Sequence, residues 1–144
     1  AVVRFGAVRF LLVGDAEAPE EAWLLAHAPP GALRADVLKV AHHGSRTSST
    51  APFLDAVRPR VALVSVGAAN GYGHPSPEVV RDLAARGVEV LRTDRLGAVV
   101  VRTDGRTITI SADGATWRAG ERVTIPTQPF ARGDAGGLRP SSPR

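Results

Sequence analysis

The stretch "DVLKVAHHGSRTSST", residues 36–50, passes from a short apolar run into two adjacent histidines, a glycine and a hydroxyl-rich loop with one arginine. Val37, Leu38, Val40 and Ala41 have the length and character of a buried β-strand. "TAPFLDAV", residues 50–57, then reads as a short helix, with Thr50 at the N-cap and Pro52 in the first turn. Strand, polar loop, helix is the unit of an α/β domain, and loops leaving strand C-termini are where such domains collect functional groups. The histidine loop is therefore open to two readings: a solvated turn, or part of a metal-dependent phosphate site.

The same alternation extends on both sides. "VVRFGAVRFLLVGD" reads as a hairpin around Gly6-Ala7 that ends at Gly14-Asp15. "APEEAWLLAHA" reads as a helix with Pro19 in its first turn, Glu20 and Glu21 at the positive end of its dipole, and an apolar face with Trp23 and Leu24. His27 before Pro29-Pro30-Gly31 fits a C-terminal cap or a surface residue. "RPRVALVSVG" is the most strand-like run and suggests burial on both faces. "PEVVRDLAARG" forms a helix after Ser76, then "VEVLRTD" a strand and "GAVVVRTDGRTITI" a hairpin turning at Asp104-Gly105. The pattern weakens after residue 112. "ATWRAGERVTI" offers a strand pair, and Pro, Gly, Ser and Arg dominate from Pro126 onward. The division expected is an α/β domain over residues 1–112 and a weakly structured extension with a disordered tail over 113–144.

Composition narrows the chemistry. The 144 residues include no cysteine, so disulfides and thiolate metal ligands are excluded and any metal needs histidine and carboxylate ligands. Net charge is +4, carried almost wholly by arginine; Lys39 is the only lysine. That balance is compatible with a polyanionic partner. No apolar run reaches the roughly 18 residues that cross a membrane.

Three loops carry the residues capable of chemistry: Gly14-Asp15, His42-His43-Gly44-Ser45 and Tyr72-Gly73-His74-Pro75. Asp15 reads as a helix N-cap or as a metal ligand. Extended geometry would point His42 and His43 to opposite faces, so that one binds metal directly while the other supports it or contacts phosphate. Ser45, Arg46 and Ser48 supply hydroxyls and a guanidinium for an anionic oxygen, although a polar turn accounts for the hydroxyls equally well. His74, among glycines, reads as a structural residue or as a group that touches a ligand.

In combination, "FLLVGDAE", "DVLKVAHHGSRTSS" and the run from Arg58 to Val101 resemble the later part of the metallo-β-lactamase-like domain of ComEC-type competence proteins, over about residues 1–110. The resemblance implies a four-layer αββα fold with two divalent metal ions, zinc or manganese, at one edge of a β-sandwich. It implies that Asp15 reaches both metals, that the histidine pair supplies the last histidine ligand, and that His74 binds substrate or donates a proton. Its substrate would be DNA, either single-stranded or the strand being degraded. Its neighbour would be the membrane channel portion of a bacterial inner-membrane protein, with this domain extracytoplasmic.

One hallmark is missing. A His-x-His-x-Asp-His segment, which opens the fold in that superfamily, has no match among the four histidines at 27, 42, 43 and 74. The chain therefore reads as the second half of such a domain, without activity alone. The alternatives are a non-catalytic DNA-binding or accessory module of a transporter, and a small-molecule hydrolase of the same superfamily.

Overall fold

The computed structural model describes residues 1–121. Val2–Phe5 (β1) and Val8–Leu12 (β2) form the expected antiparallel hairpin. Ala18–His27 (α1), Val37–Lys39 (β3), Ala51–Val57 (α2), Val61–Val64 (β4), Pro77–Ala85 (α3) and Glu89–Arg92 (β5) then alternate. The strands assemble in the order β1-β2-β3-β4-β5, with β2 to β5 mutually parallel. Val99–Thr103 (β6), Ile108–Ala112 (β7) and Ala115–Arg118 (β8) make a separate antiparallel sheet. The observed class is mixed α/β.

Register decides which side chains meet. Leu11, Leu38, Ala62 and Val90 lie in one row across the larger sheet and face the helices, where Phe53, Leu54, Val57, Val79 and Leu83 close over them. The neighbouring row, Phe10, Val37 and Val61, faces the small sheet and packs against Ile108, Ile110 and Trp117. The layers are thus helices, parallel sheet, antiparallel sheet. Burial on both faces explains why β3 and β4 read as near-continuous apolar runs. Each fully buried Leu, Val or Phe contributes about 1.5–3 kcal/mol.

Several expectations are corrected. Trp23 is 60% exposed, because the buried face of α1 runs through Glu21, Leu24 and Leu25, at helical spacing. Its ring instead stacks on His27, at 4.4 Å between centroids, and His27 Nδ1 contacts the Trp23 carbonyl at the exposed helix end. The N-cap of α1 is Glu17, not Asp15: Glu17 and Glu20 form a reciprocal capping box. Thr50 occupies the N-cap of α2, but its side chain makes no capping bond. A short helix, Thr93–Leu96 (α4), interrupts the path from β5 to β6.

Regular structure continues past residue 112. β8 pairs with β7 in register, and Trp117 on it is buried with its indole N–H on Glu89 at 2.6 Å. The tail expected from Pro126 onward lies outside the described residues. No helix among the described residues is long and apolar enough to cross a membrane.

Candidate functional site

The parallel strands set the site, because the segments after β2, β3 and β4 all leave the same end of the sheet. Asp15 follows β2, the histidine pair follows β3, and His74 follows β4. The three loops converge. His43 Nε2 lies 3.9 Å from Asp15 Oδ1, and the His42 ring lies 5.7 Å from the His74 ring.

The histidine pair is not extended. His42 (φ 43°, ψ 44°) and His43 (φ 55°, ψ 20°) both adopt left-handed backbone inside a 3₁₀ turn over Ala41–Gly44, a conformation uncommon for side chains larger than glycine. The expectation of opposite faces is replaced by two rings on one rim, with centroids 6.4 Å apart. Three backbone bonds tie the turn down: His42 N–H to Gly14, Ser45 N–H to His42, and Ser76 N–H to Gly44. Gly44 is required where it stands. Its φ is +83°, and a Cβ there would lie 2.6 Å from Pro75 Cβ, so only glycine lets the histidine loop close against the His74 loop.

Each ring is oriented through Nδ1. His43 Nδ1 lies 2.6 Å from the Ser65 carbonyl, and His42 Nδ1 lies 2.8 Å from the Glu17 carboxylate. A carbonyl and a carboxylate only accept, so each Nδ1 carries a proton, which leaves Nε2 as the nitrogen that can ligate a metal. A ring held this way is prepared as a metal ligand. The 3.9 Å separation of His43 Nε2 and Asp15 Oδ1 is too long for a hydrogen bond and wider than the about 3.3 Å between two ligand atoms of one tetrahedral ion, so an exposed Asp15 carboxylate would have to turn toward the ring to share a metal with it. These donors fit part of a metal site. Among the described residues no three His, Asp or Glu side chains are grouped closely enough to hold an ion by themselves.

Beside the histidines lies a cavity of about 350 Å³, lined by Ser45, Arg46, Thr47, Tyr72, His74 and Ser76 among others. Among the described residues Arg46 is its only cationic wall residue, and it makes no salt bridge with any of them. Ser45 Oγ meets Thr47 Oγ1 at 2.9 Å. Ser48 is placed elsewhere: it is buried, and its hydroxyl donates to the Ala41 and Ser45 carbonyls at 3.0 Å each, bracing the loop from behind.

No family model matches the chain. It is 37% identical to ComE operon protein 3 of Bacillus subtilis over 106 residues, which are 74% of this chain and 13% of that protein. It is 42% identical to competence protein ComA of Neisseria gonorrhoeae over 94 residues, 65% of this chain and 14% of that one. Recombination protein 2 of Haemophilus influenzae is 42% identical over 73 residues, 51% of this chain and 9% of that one. The chain belongs to the ComEC-type competence proteins. It spans a small part, 9–14%, of the length of these curated relatives.

This ComEC-type segment also uses residues that sequence reading passed over. Glu17 Oε1 serves both His42 and the Thr47 hydroxyl, at 2.8 and 2.9 Å. Glu21, fully buried, accepts the Ser49 and Thr50 N–H groups at 2.6 and 2.8 Å and so anchors the far end of the same loop. Lys39, at the end of β3, donates to the Val40 carbonyl at 2.9 Å; burial pushes its pKa down, and the nearby Asp15 carboxylate opposes that shift. The available signal was the carboxylate-rich "DAEAPEE" directly after a strand, which reads first as an acidic first turn of a helix.

Proposed function

We propose that this chain is the later half of a metallo-β-lactamase-like domain in a ComEC-type DNA-uptake protein, and that the complete domain hydrolyses DNA phosphodiesters. The observation that carries the reading is the pair of imidazoles, each oriented through an Nδ1 contact, beside Asp15 and an arginine-bearing cavity. The helix, sheet, sheet layering supports it, since an αββα sandwich cut after its first three layers would have this order.

In that domain Asp15, His42 and His43 would help hold two divalent ions, zinc or manganese, with further ligands from residues outside this chain. Such ions, when bound, make a water nucleophilic at neutral pH and stabilise charge on phosphate. Arg46 pairs with a phosphate oxygen, for which its planar guanidinium is suited, and Ser45 adds a hydroxyl. Water oxygen loses a proton to solvent as it bonds to phosphorus, the bond to one ester oxygen breaks, and His74 gives that leaving oxygen a proton that it regains from solvent. Ser48 acts only by holding the loop. The role in uptake is degradation of the strand that does not enter, or handling of DNA beside the membrane channel of the parent protein, on its extracytoplasmic side.

The test is cleavage of labelled DNA by the full-length protein with manganese or zinc, wild type against Asp15→Ala. Metal-dependent cleavage lost in the variant supports the reading. A wild-type protein that leaves DNA intact, where a related nuclease cuts it, overturns the reading. A second reading, a non-catalytic DNA-binding or accessory module, is favoured by the lack of three converging ligands among the described residues. Metal stoichiometry separates the two: two tightly held ions in the full-length protein exclude the accessory module.

A further inference from the structure

Tyr72 is the chain's only tyrosine, and 85% of it is open to solvent at the mouth of the cavity. A single exposed aromatic needs no explanation by itself. This one is positioned. Asn70 clamps the loop that carries it: Nδ2 donates to the Gly67 and His74 carbonyls at 3.0 and 2.9 Å, and Oδ1 accepts the His74 N–H at 3.0 Å. The Tyr72 ring lies nearly parallel to the His74 ring, 20° between planes and 6.1 Å between centroids. His74 in turn lies against His42. A row of three rings therefore leads from the histidine loop to solvent, with Arg46 and the Ser45 and Thr47 hydroxyls lining the same cavity.

An aromatic face open to solvent, next to a guanidinium and hydroxyls, matches the two halves of a nucleotide. The base supplies a π-face and the phosphate supplies oxygens. In a duplex the base faces are covered by their neighbours, so a stacking residue at this position selects an unpaired base. We propose that Tyr72 is the base-stacking, specificity-determining residue of this site, and that the site takes single-stranded nucleic acid, one base on Tyr72 and its phosphate toward Arg46. The proposal rests on the phosphodiester reading above for the identity of the ligand. It adds which residue selects an unpaired base.

The experiment measures binding to the full-length protein in EDTA, so that hydrolysis plays no part. The probes are a fluorescein-labelled oligothymidylate, an abasic strand of the same length and a duplex. Tyr72→Ala is expected to weaken oligothymidylate binding about tenfold, in line with the loss of one stacked base. Abasic-strand and duplex binding should not change, and Tyr72→Phe should behave as wild type. Unchanged oligothymidylate binding by Tyr72→Ala, or an equal fall for intact and abasic strands, overturns the proposal. Cleavage is assayed separately with metal. A protein that cleaves DNA yet ignores Tyr72→Ala in the binding assay refutes the stacking role alone. One that cleaves nothing but binds through Tyr72 refutes the hydrolase reading alone.

Discussion

Glu17 and His42 are joined across 25 residues of sequence by a 2.8 Å contact between Oε1 and Nδ1, and the same oxygen accepts the Thr47 hydroxyl at 2.9 Å. The cap of α1 thereby fixes the ring that follows β3. Glu17→Ala should leave His42 free to rotate while costing the fold its capping box and the exposed Thr47 contact, about 1–2 kcal/mol. Partners of this kind typically change metal affinity 10–100-fold. The expected result in the full-length protein is a loss of zinc or manganese affinity in that range, read by competition with a fluorescent chelator, with little change in Tm. Undiminished affinity would remove Glu17 from the positioning role.

Glu21 works on the other end of the loop. Its carboxylate is buried and takes two backbone N–H groups, from Ser49 and Thr50, while Ser49 itself sits at φ 59°. Removing the acceptor leaves one buried and one part-buried donor without a partner, at about 1–3 kcal/mol for a buried one and less for the other. Glu21→Ala is therefore expected to lower the free energy of unfolding by about 2–5 kcal/mol, and Glu21→Gln, which keeps one acceptor oxygen, by less. Urea denaturation of the two variants gives the comparison. Equal, small effects would mean that solvent reaches those amides.

These two carboxylates mark where sequence reading stopped. The strands β1 to β7, α1 to α3 and the start of α3 at Ser76 were legible because period and breakers are local signals. The Ser76 hydroxyl does accept from Glu78 N–H. Convergence of the three loops could be anticipated from strand ends, though not demonstrated. The His42 and His43 backbone could not be read, since nothing in a His-His pair signals φ > 0; long-range bonds of His42 with Gly14, His43 with Ser65 and Gly44 with Ser76 impose it. Glu17 and Glu21 looked like dipole-favoured residues of a first helical turn. Only tertiary contact reveals that both reach residues 42 to 50.

β8 shows the opposite limit. "ATWRAGERVTI" offers a strand pair outside the expected domain, yet Trp117 on β8 completes the core between the two sheets and donates to Glu89 at 2.6 Å. Replacing a buried Trp by Ala costs about 3–5 kcal/mol. Trp117→Ala is expected to reduce stability by that amount, measured by thermal or urea unfolding, whereas Trp23→Ala, at an exposed helix position, should change it by less than about 1 kcal/mol. Near-equal effects would place the domain boundary before β8.

Lys39 gives a prediction in pH. Its pKa is lowered from the ordinary 10.5, first by burial, and raised part of the way back by Asp15. The native state thus releases the proton more readily than the unfolded chain. Between the native and unfolded pKa values the unfolded state binds more protons, so stability rises with pH across that window. Below it, the cost of burying the charge is present in full. Lys39→Met should therefore stabilise the protein at neutral pH, and its advantage should shrink as pH climbs through the native Lys39 pKa toward 10.5. Asp15→Ala removes the opposing carboxylate and should move the Lys39 titration further down. Because Lys39 is the only lysine of these 144 residues, its side-chain Cε resonance can be followed by NMR in this segment without ambiguity. A midpoint at or above 10.5, or one unmoved by Asp15→Ala, would separate Lys39 from the Asp15 site.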